Sequence, residues 1–115
     1  MGPGDGMTET ETPAQDLIGD FAPKLAALTD GVLFGDVWAR PDLSPRDRSL
    51  ITCAALVANG NVEQLPHHLT RAVANGVTQT EITEAITHLA FYASWPRAMS
   101  AVAVAKELFG RPALG

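Results

Sequence analysis

The chain has 115 residues and a formal net charge of −5, a length that suits one domain with one modest core. Asp5, Glu9, Glu11, Asp16 and Asp20 carry that acidity without a base among them. The body is therefore neutral and lacks the basic surplus a nucleic-acid binder needs. No apolar run approaches bilayer-spanning length, and the acidic, polar N-terminus does not read as a secretory signal.

The lone cysteine, Cys53, can form neither an intrachain disulfide nor a thiolate metal cluster, so a reduced, cytoplasmic setting is the default expectation. Hydrophobic residues make up 46% and charged residues 18% of the chain. A small domain cannot bury so much apolar surface alone, so an oligomer is expected.

Residues 1–12 mix Gly, Pro, Thr and Glu with nothing apolar to bury, and read as a disordered acidic tail or leader. Met7 marks a candidate natural start behind residues 1–6. Residues 13–115 read as a single all-α domain. Pro13 to Leu28 sets Leu17, Ile18, Phe21, Leu25 and Leu28 at helical spacing, with Gly19 and Pro23 able to split the helix. Asp30 to Ala39 is a short amphipathic piece ending before Pro41.

Ser44-Pro45-Arg46-Asp47 is a helix-start signature of hydroxyl, N1 proline and N3 carboxylate. The helix it opens is apolar on all sides from Leu50 to Ala58, which predicts that it is buried, or sandwiched between its own core and a neighbouring subunit. Gly60-Asn61 ends it. The next helix is predicted over Asn61 to Asn75 and stopped by Asn75-Gly76. Thr78-Gln79-Thr80-Glu81 is a capping box for a helix to about Ala93, and a last helix runs from Trp95-Pro96 to Phe109. No run alternates with the period of a strand. The prediction is a compact bundle of five to six helices.

On a helical wheel for residues 62–75, Val62, Leu65, Leu69, Ala72 and Val73 form one stripe. His67 falls opposite it, a solvated position. His68 falls at its edge, where a half-buried imidazole can serve as general acid or base, or simply bond a backbone carbonyl. His88 is placed to pair with Glu84 one turn away. Adjacent histidines on a helix diverge and cannot chelate one ion, and neither H-E-x-x-H nor C-x-x-C occurs, so no metal is expected. The scattered glycines form no phosphate loop. Cys53 reads as a small buried hydrophobe or, with a cation near it, as a reactive thiol. Arg40, Arg46, Arg48 and Arg97 lie near turns, as carboxylate clamps or as partners in ordinary ion pairs. Trp38 and Trp95 stand at element ends, where aromatics wall pockets or interfaces.

Several segments in sequence resemble the carboxymuconolactone decarboxylase family. They are Gly35-Asp36-Val37-Trp38-Ala39-Arg40-Pro41, Arg46-Asp47-Arg48-Ser49-Leu50-Ile51-Thr52 and Leu65-Pro66-His67-His68-Leu69. Asn75-Gly76-Val77-Thr78, Glu81-Ile82-Thr83-Glu84 and Tyr92 with Trp95-Pro96-Arg97-Ala98 follow in order. The resemblance implies an alkylhydroperoxidase D-like helical fold that assembles as a homotrimer or hexamer. The peroxidase branch carries a Cys-x-x-Cys pair before its histidine; this chain has no cysteine over Asn61–Gln64, so the resemblance is to the decarboxylase branch.

That branch implies cofactor-free decarboxylation of a 4-carboxymuconolactone-type substrate in aromatic catabolism. His68, Arg48 and Glu63 would be catalytic, His68 as proton donor and arginine as carboxylate and enolate clamp. Arg40, Trp38 and Trp95 would bind substrate. The alternatives are a related lyase or isomerase on another small acid, or an oligomer that binds a ligand without turnover. Where relatives usually have glycine, this chain has Ser94. Serine there either costs about 1 kcal/mol at a positive φ or caps the last helix.

Overall fold

A computed structural model describes residues 12–110. Of the tail predicted over residues 1–12, residues 1–11 lie outside the described residues. Among those described, six α-helices and one π-helical segment occur, and no strand. The chain divides at Pro45/Arg46 into two compact units.

In the first unit the expected Pro13–Leu28 helix is split. Its halves are α1 (Ala14–Ile18) and α2 (Pro23–Ala27). Gly19 and Pro23 are the reason: α1 stops at the glycine, and proline is accommodated as the first residue of α2. The α1 start has no side-chain cap of its own. Asp30 supplies one from a distance, its two carboxylate oxygens accepting the Ala14 and Gln15 amides at 2.8 and 2.9 Å.

The piece predicted over Asp30–Ala39 is a π-helical segment, Leu28–Val37, continuous with α2. Its wider turns bond each amide to the fifth residue back, as in Trp38 N–H to Leu33 C=O at 2.9 Å. Gly35 lets the wide turn close: a Cβ there would sit 2.9 Å from the Asp30 carbonyl oxygen. Phe34 and Trp38 come together one turn apart, ring centres 5.9 Å from each other.

The second unit contains α3 (Pro45–Asn59), α4 (Leu65–Ala74), α5 (Gln79–Tyr92) and α6 (Trp95–Phe109). Its core is built from Val57 of α3, Leu65 and Leu69 of α4, Ile82 and Ile86 of α5, and the small face Ala98, Ala101 and Ala105 of α6. Three alanines three and four residues apart let α6 lie close against its neighbours. One side of α3 stays exposed within a single chain, with Ile51 57% accessible.

The caps follow the sequence signals. Thr78 and Glu81 form both halves of the capping box, and the second Glu81 oxygen pairs with Arg46 of α3. Ser94 is extended, with φ −170° and ψ 130°, and its hydroxyl accepts the Arg97 amide at 3.3 Å. The serine therefore caps α6 and carries no left-handed strain. After α4, Gly76 takes φ 103°. The Gly76 amide bonds Val73 and the Val77 amide bonds Ala72, which stops the helix and buries Val77.

One boundary differs from expectation. The helix predicted from Asn61 begins only at Leu65, with Pro66 in its first turn. A proline deeper in a helix would clash with the carbonyl four residues back, here that of Val62. Asn61–Gln64 is therefore a turn, and Val62 and Val73, assigned to the apolar stripe, are 37% and 40% exposed.

Candidate active site

The candidate site is built on α4. Leu65, Leu69 and Ala72 are fully or almost fully buried, which fixes the rotation of the helix. With that rotation fixed, His67 is exposed and His68 half-buried, as the wheel places them. Their rings meet edge to face, centroids 5.2 Å apart and planes at 90°. The Nδ1 atom of His68 is itself buried.

Two side chains of α3 hold α4 in place. The thiol of Cys53 donates to the His68 backbone carbonyl at 3.4 Å. The Asn75 side-chain amide donates to the hydroxyl of Ser49 at 2.9 Å, and Ser49 is only 1% exposed. The lower-numbered residue of α3 meets the higher-numbered residue of α4, so the two helices run antiparallel along this seam. Burial pushes the Cys53 thiol up to about 11. A protonated, buried thiol is neither a nucleophile nor a peroxide reductant at neutral pH. Cys53 is a packing and hydrogen-bonding residue.

The arginines divide by occupation. Arg46 is held by Asp47 and Glu81. The Glu81 carboxyl lies below the usual range because it accepts the Thr78 amide and the Arg46 guanidinium. Arg97 donates to the Ala58 carbonyl and closes the end of α3. Arg40 lies in the first unit, exposed, 3.2 Å from Asp42. Arg48 is half-buried in the first turn of α3, the helix that grips His68.

The remaining candidates are spread out. Glu63 is exposed in the turn before α4. Trp95 is the first residue of α6, 56% exposed, its ring edge-on to Phe91 at 5.3 Å. Trp38 belongs to the first unit and is 6% exposed. His88 stacks on Tyr92, with centroids 4.7 Å apart, in place of the expected Glu84 pair. An open apolar groove of about 370 Å³ lies between α4 and α6, lined by Pro66, Ala103, Val104, Glu107 and Leu108. None of the candidate residues lines it.

Arg71 escaped the sequence reading. It is 2% exposed, three residues after His68. On the wheel it falls beyond His68 on the polar side, and its spacing to His68 was the one available signal. Among the described residues no group of three or more His, Cys, Asp and Glu side chains converges as a metal site. No described helix is long and apolar enough to cross a membrane.

Comparison with known proteins identifies the family. The model of the carboxymuconolactone decarboxylase family matches residues 23–107. The 4-carboxymuconolactone decarboxylase of Acinetobacter baylyi is 37% identical over 92 residues, covering 80% of this chain and 69% of that protein. The nitrosuccinic acid decarboxylase of Metarhizium robertsii is 34% identical over 95 residues, 83% of this chain and 59% of that protein. The chain thus spans less than two thirds of the Metarhizium robertsii protein's length. Both relatives are named for the loss of a carboxyl group, and the chain belongs to the carboxymuconolactone decarboxylase family.

Proposed function

We propose that the protein is a cofactor-independent carboxy-lyase whose proton-handling group is His68. The observation that carries this reading is the half-buried imidazole on a helix locked to α3, in a chain similar to decarboxylases of two different acids. Those acids share one chemical feature. When the C–C bond to the carboxylate breaks, its electron pair passes into a conjugated carbonyl in the lactone or into the nitro group in nitrosuccinate. The substrate class proposed here is a small acid with such an acceptor beside its carboxylate.

The protein then has two tasks. It must stabilise the negative charge that appears as CO₂ leaves, and it must deliver a proton to carbon. Arg48 supports the first, since a half-buried guanidinium stabilises a developing oxyanion more strongly than one in water. His68 supports the second: the imidazolium gives its proton to the carbanionic carbon and is reprotonated from water. One proton is consumed for each CO₂ released.

Copies of the chain are proposed to associate. Phe91, Tyr92, Trp95 and Met99, at the α5–α6 corner, are between 56% and 79% exposed in a single chain. A cluster of large apolar side chains of that kind marks a contact surface. The family resemblance supports a trimer or hexamer.

CO₂ release from 4-carboxymuconolactone and from nitrosuccinate, measured side by side, tests the substrate class. Release from either supports it. Folded protein that releases CO₂ from neither removes it.

A further inference from the structure

Three small side chains, Ser49, Cys53 and Val57, form the buried side of α3 at four-residue spacing. Cys53 and Val57 share a core with Leu65, Leu69 and Ala72 of α4. Apolar packing is non-directional, and so smooth a ridge leaves the register of the two helices loosely specified. Polar bonds supply what is missing. The buried Ser49 hydroxyl accepts the Asn75 side-chain amide at 2.9 Å, and one turn along α3 the Cys53 thiol donates to the His68 carbonyl at 3.4 Å. The amide bond is the stronger of the two, since a thiol is a weak donor.

We infer that Ser49 and Asn75 are positioning residues, whose buried hydrogen bond sets the register of α3 against α4 and so places His68 relative to Arg48. This rests on the reading of His68 and Arg48 as the working groups. Neither Ser49 nor Asn75 acts on the reacting atoms; each acts through the helix it pins. His68 and Asn75 are seven residues apart, which puts them on nearly one line of α4, about 10 Å apart along its axis. Arg48 directly precedes Ser49, so its side chain leaves α3 about 100° around from the bond. Any rotation of α3 carries Arg48 with it, and a slide of one residue displaces it by about 1.5 Å. A misplacement of about 1 Å can cost 10²-fold in rate.

Stability alone does not call for this bond. Replacing both partners of a buried hydrogen bond by apolar groups of similar shape can be nearly neutral, whereas a single buried polar contact between helices is an effective way to specify their register. The pair is also placed to do so. Two bonds at different heights along the seam fix both the slide and the rotation of one helix against the other, which neither bond does alone. With the Ser49–Asn75 bond gone, α3 keeps its core contacts but samples several registers, and only a fraction of them present Arg48 and His68 to the acid together.

The test compares Asn75→Leu, Asn75→Asp and the double variant Ser49→Ala/Asn75→Leu with the wild type. Without substrate, NMR of ¹³C-labelled histidine reports where the His68 imidazole sits. Its ring resonances should move in Asn75→Leu and in the double variant, while those of His88 on α5 stay in place. Asn75→Asp should bring them back, because its carboxylate accepts the Ser49 O–H and keeps a bond across the seam. For CO₂ release, kcat should fall about 10-fold or more in Asn75→Leu with KM within a few-fold, and Asn75→Asp should recover most of the loss. Gly76→Ala weakens the same corner without touching the bond, and should leave both kcat and the His68 resonances near wild type. Unmoved His68 resonances or a wild-type kcat in folded Asn75→Leu overturns the proposal. Should that variant not fold, the double variant makes the same comparison; failure of both to fold assigns the bond to stability and overturns the proposal too. The resonances need no substrate, so a wild type that releases no CO₂ sinks the carboxy-lyase reading, while a His68 that moves with Asn75→Leu still shows the imidazole positioned by this bond.

Discussion

The Cys53 thiol on α3 donates its proton to the backbone carbonyl of His68 on α4, across 3.4 Å. With the Asn75–Ser49 bond at the other end of the seam, this contact sets the depth at which the imidazole sits. The cysteine ties α3 to the helix that carries the histidine, and burial holds its thiol well above the usual range.

Replacing the thiol should therefore affect stability more than turnover. Cys53→Ala removes a buried sulfur and one weak hydrogen bond, a loss of about 1 kcal/mol. Urea denaturation should show that loss, while the rate of CO₂ release stays within a few-fold of wild type. A collapse of activity in a stable variant would give Cys53 a chemical role.

Glu81 joins the α5 cap to Arg46 of α3, and its carboxyl is held below the ordinary range. A lowered folded-state value means the ionised form is favoured by folding. Its contribution is present in full above the ordinary glutamate value, about 4.3, and is lost as pH falls through the lowered one. The stability gap between wild type and Glu81→Gln should be constant near neutrality and close as pH drops below about 4. A gap that persists undiminished in acid would mean the ionised carboxylate contributes nothing.

Gly76 holds φ 103° with open space where a Cβ would stand. Any cost of Gly76→Ala therefore comes from the backbone and not from a clash. About 1–2 kcal/mol is expected, readable as a lowered denaturation midpoint with an unchanged slope. No loss would show that the turn after α4 relaxes to another conformation.

The exposed aromatic corner makes its own prediction. Phe91 is 73% exposed, so Phe91→Asp should not unfold an isolated chain. If copies associate through this corner, the variant should sediment at lower mass than wild type while keeping its helical circular dichroism. Unchanged mass would move the contact elsewhere on the molecule.

Helix starts and stops were legible wherever a local residue marks the boundary. Pro45, the Thr78–Glu81 box, Asn75-Gly76 and Gly110 bound their helices as read. The burial difference between His67 and His68 was legible too, because Leu65, Leu69 and Ala72 define the stripe without help from the rest of the chain. Pro66 places the start of α4 at Leu65, four residues after the predicted Asn61. The π-helical turns of Leu28–Val37 escaped because an extra residue per turn leaves no distinctive mark in so short an apolar pattern. Arg71 escaped for a different reason. Whether a guanidinium is buried depends on what packs over it, and residue type argues against burial.

The most direct measurement is the rate of CO₂ release from 4-carboxymuconolactone by wild type, His67→Ala and His68→Ala proteins of verified fold. The account predicts that His67→Ala stays within a few-fold of wild type, because that ring faces solvent. It predicts that His68→Ala loses about 10²- to 10⁴-fold, the contribution of a positioned acid–base group. Equal rates in all three proteins would contradict the assignment of His68 as the proton-handling residue.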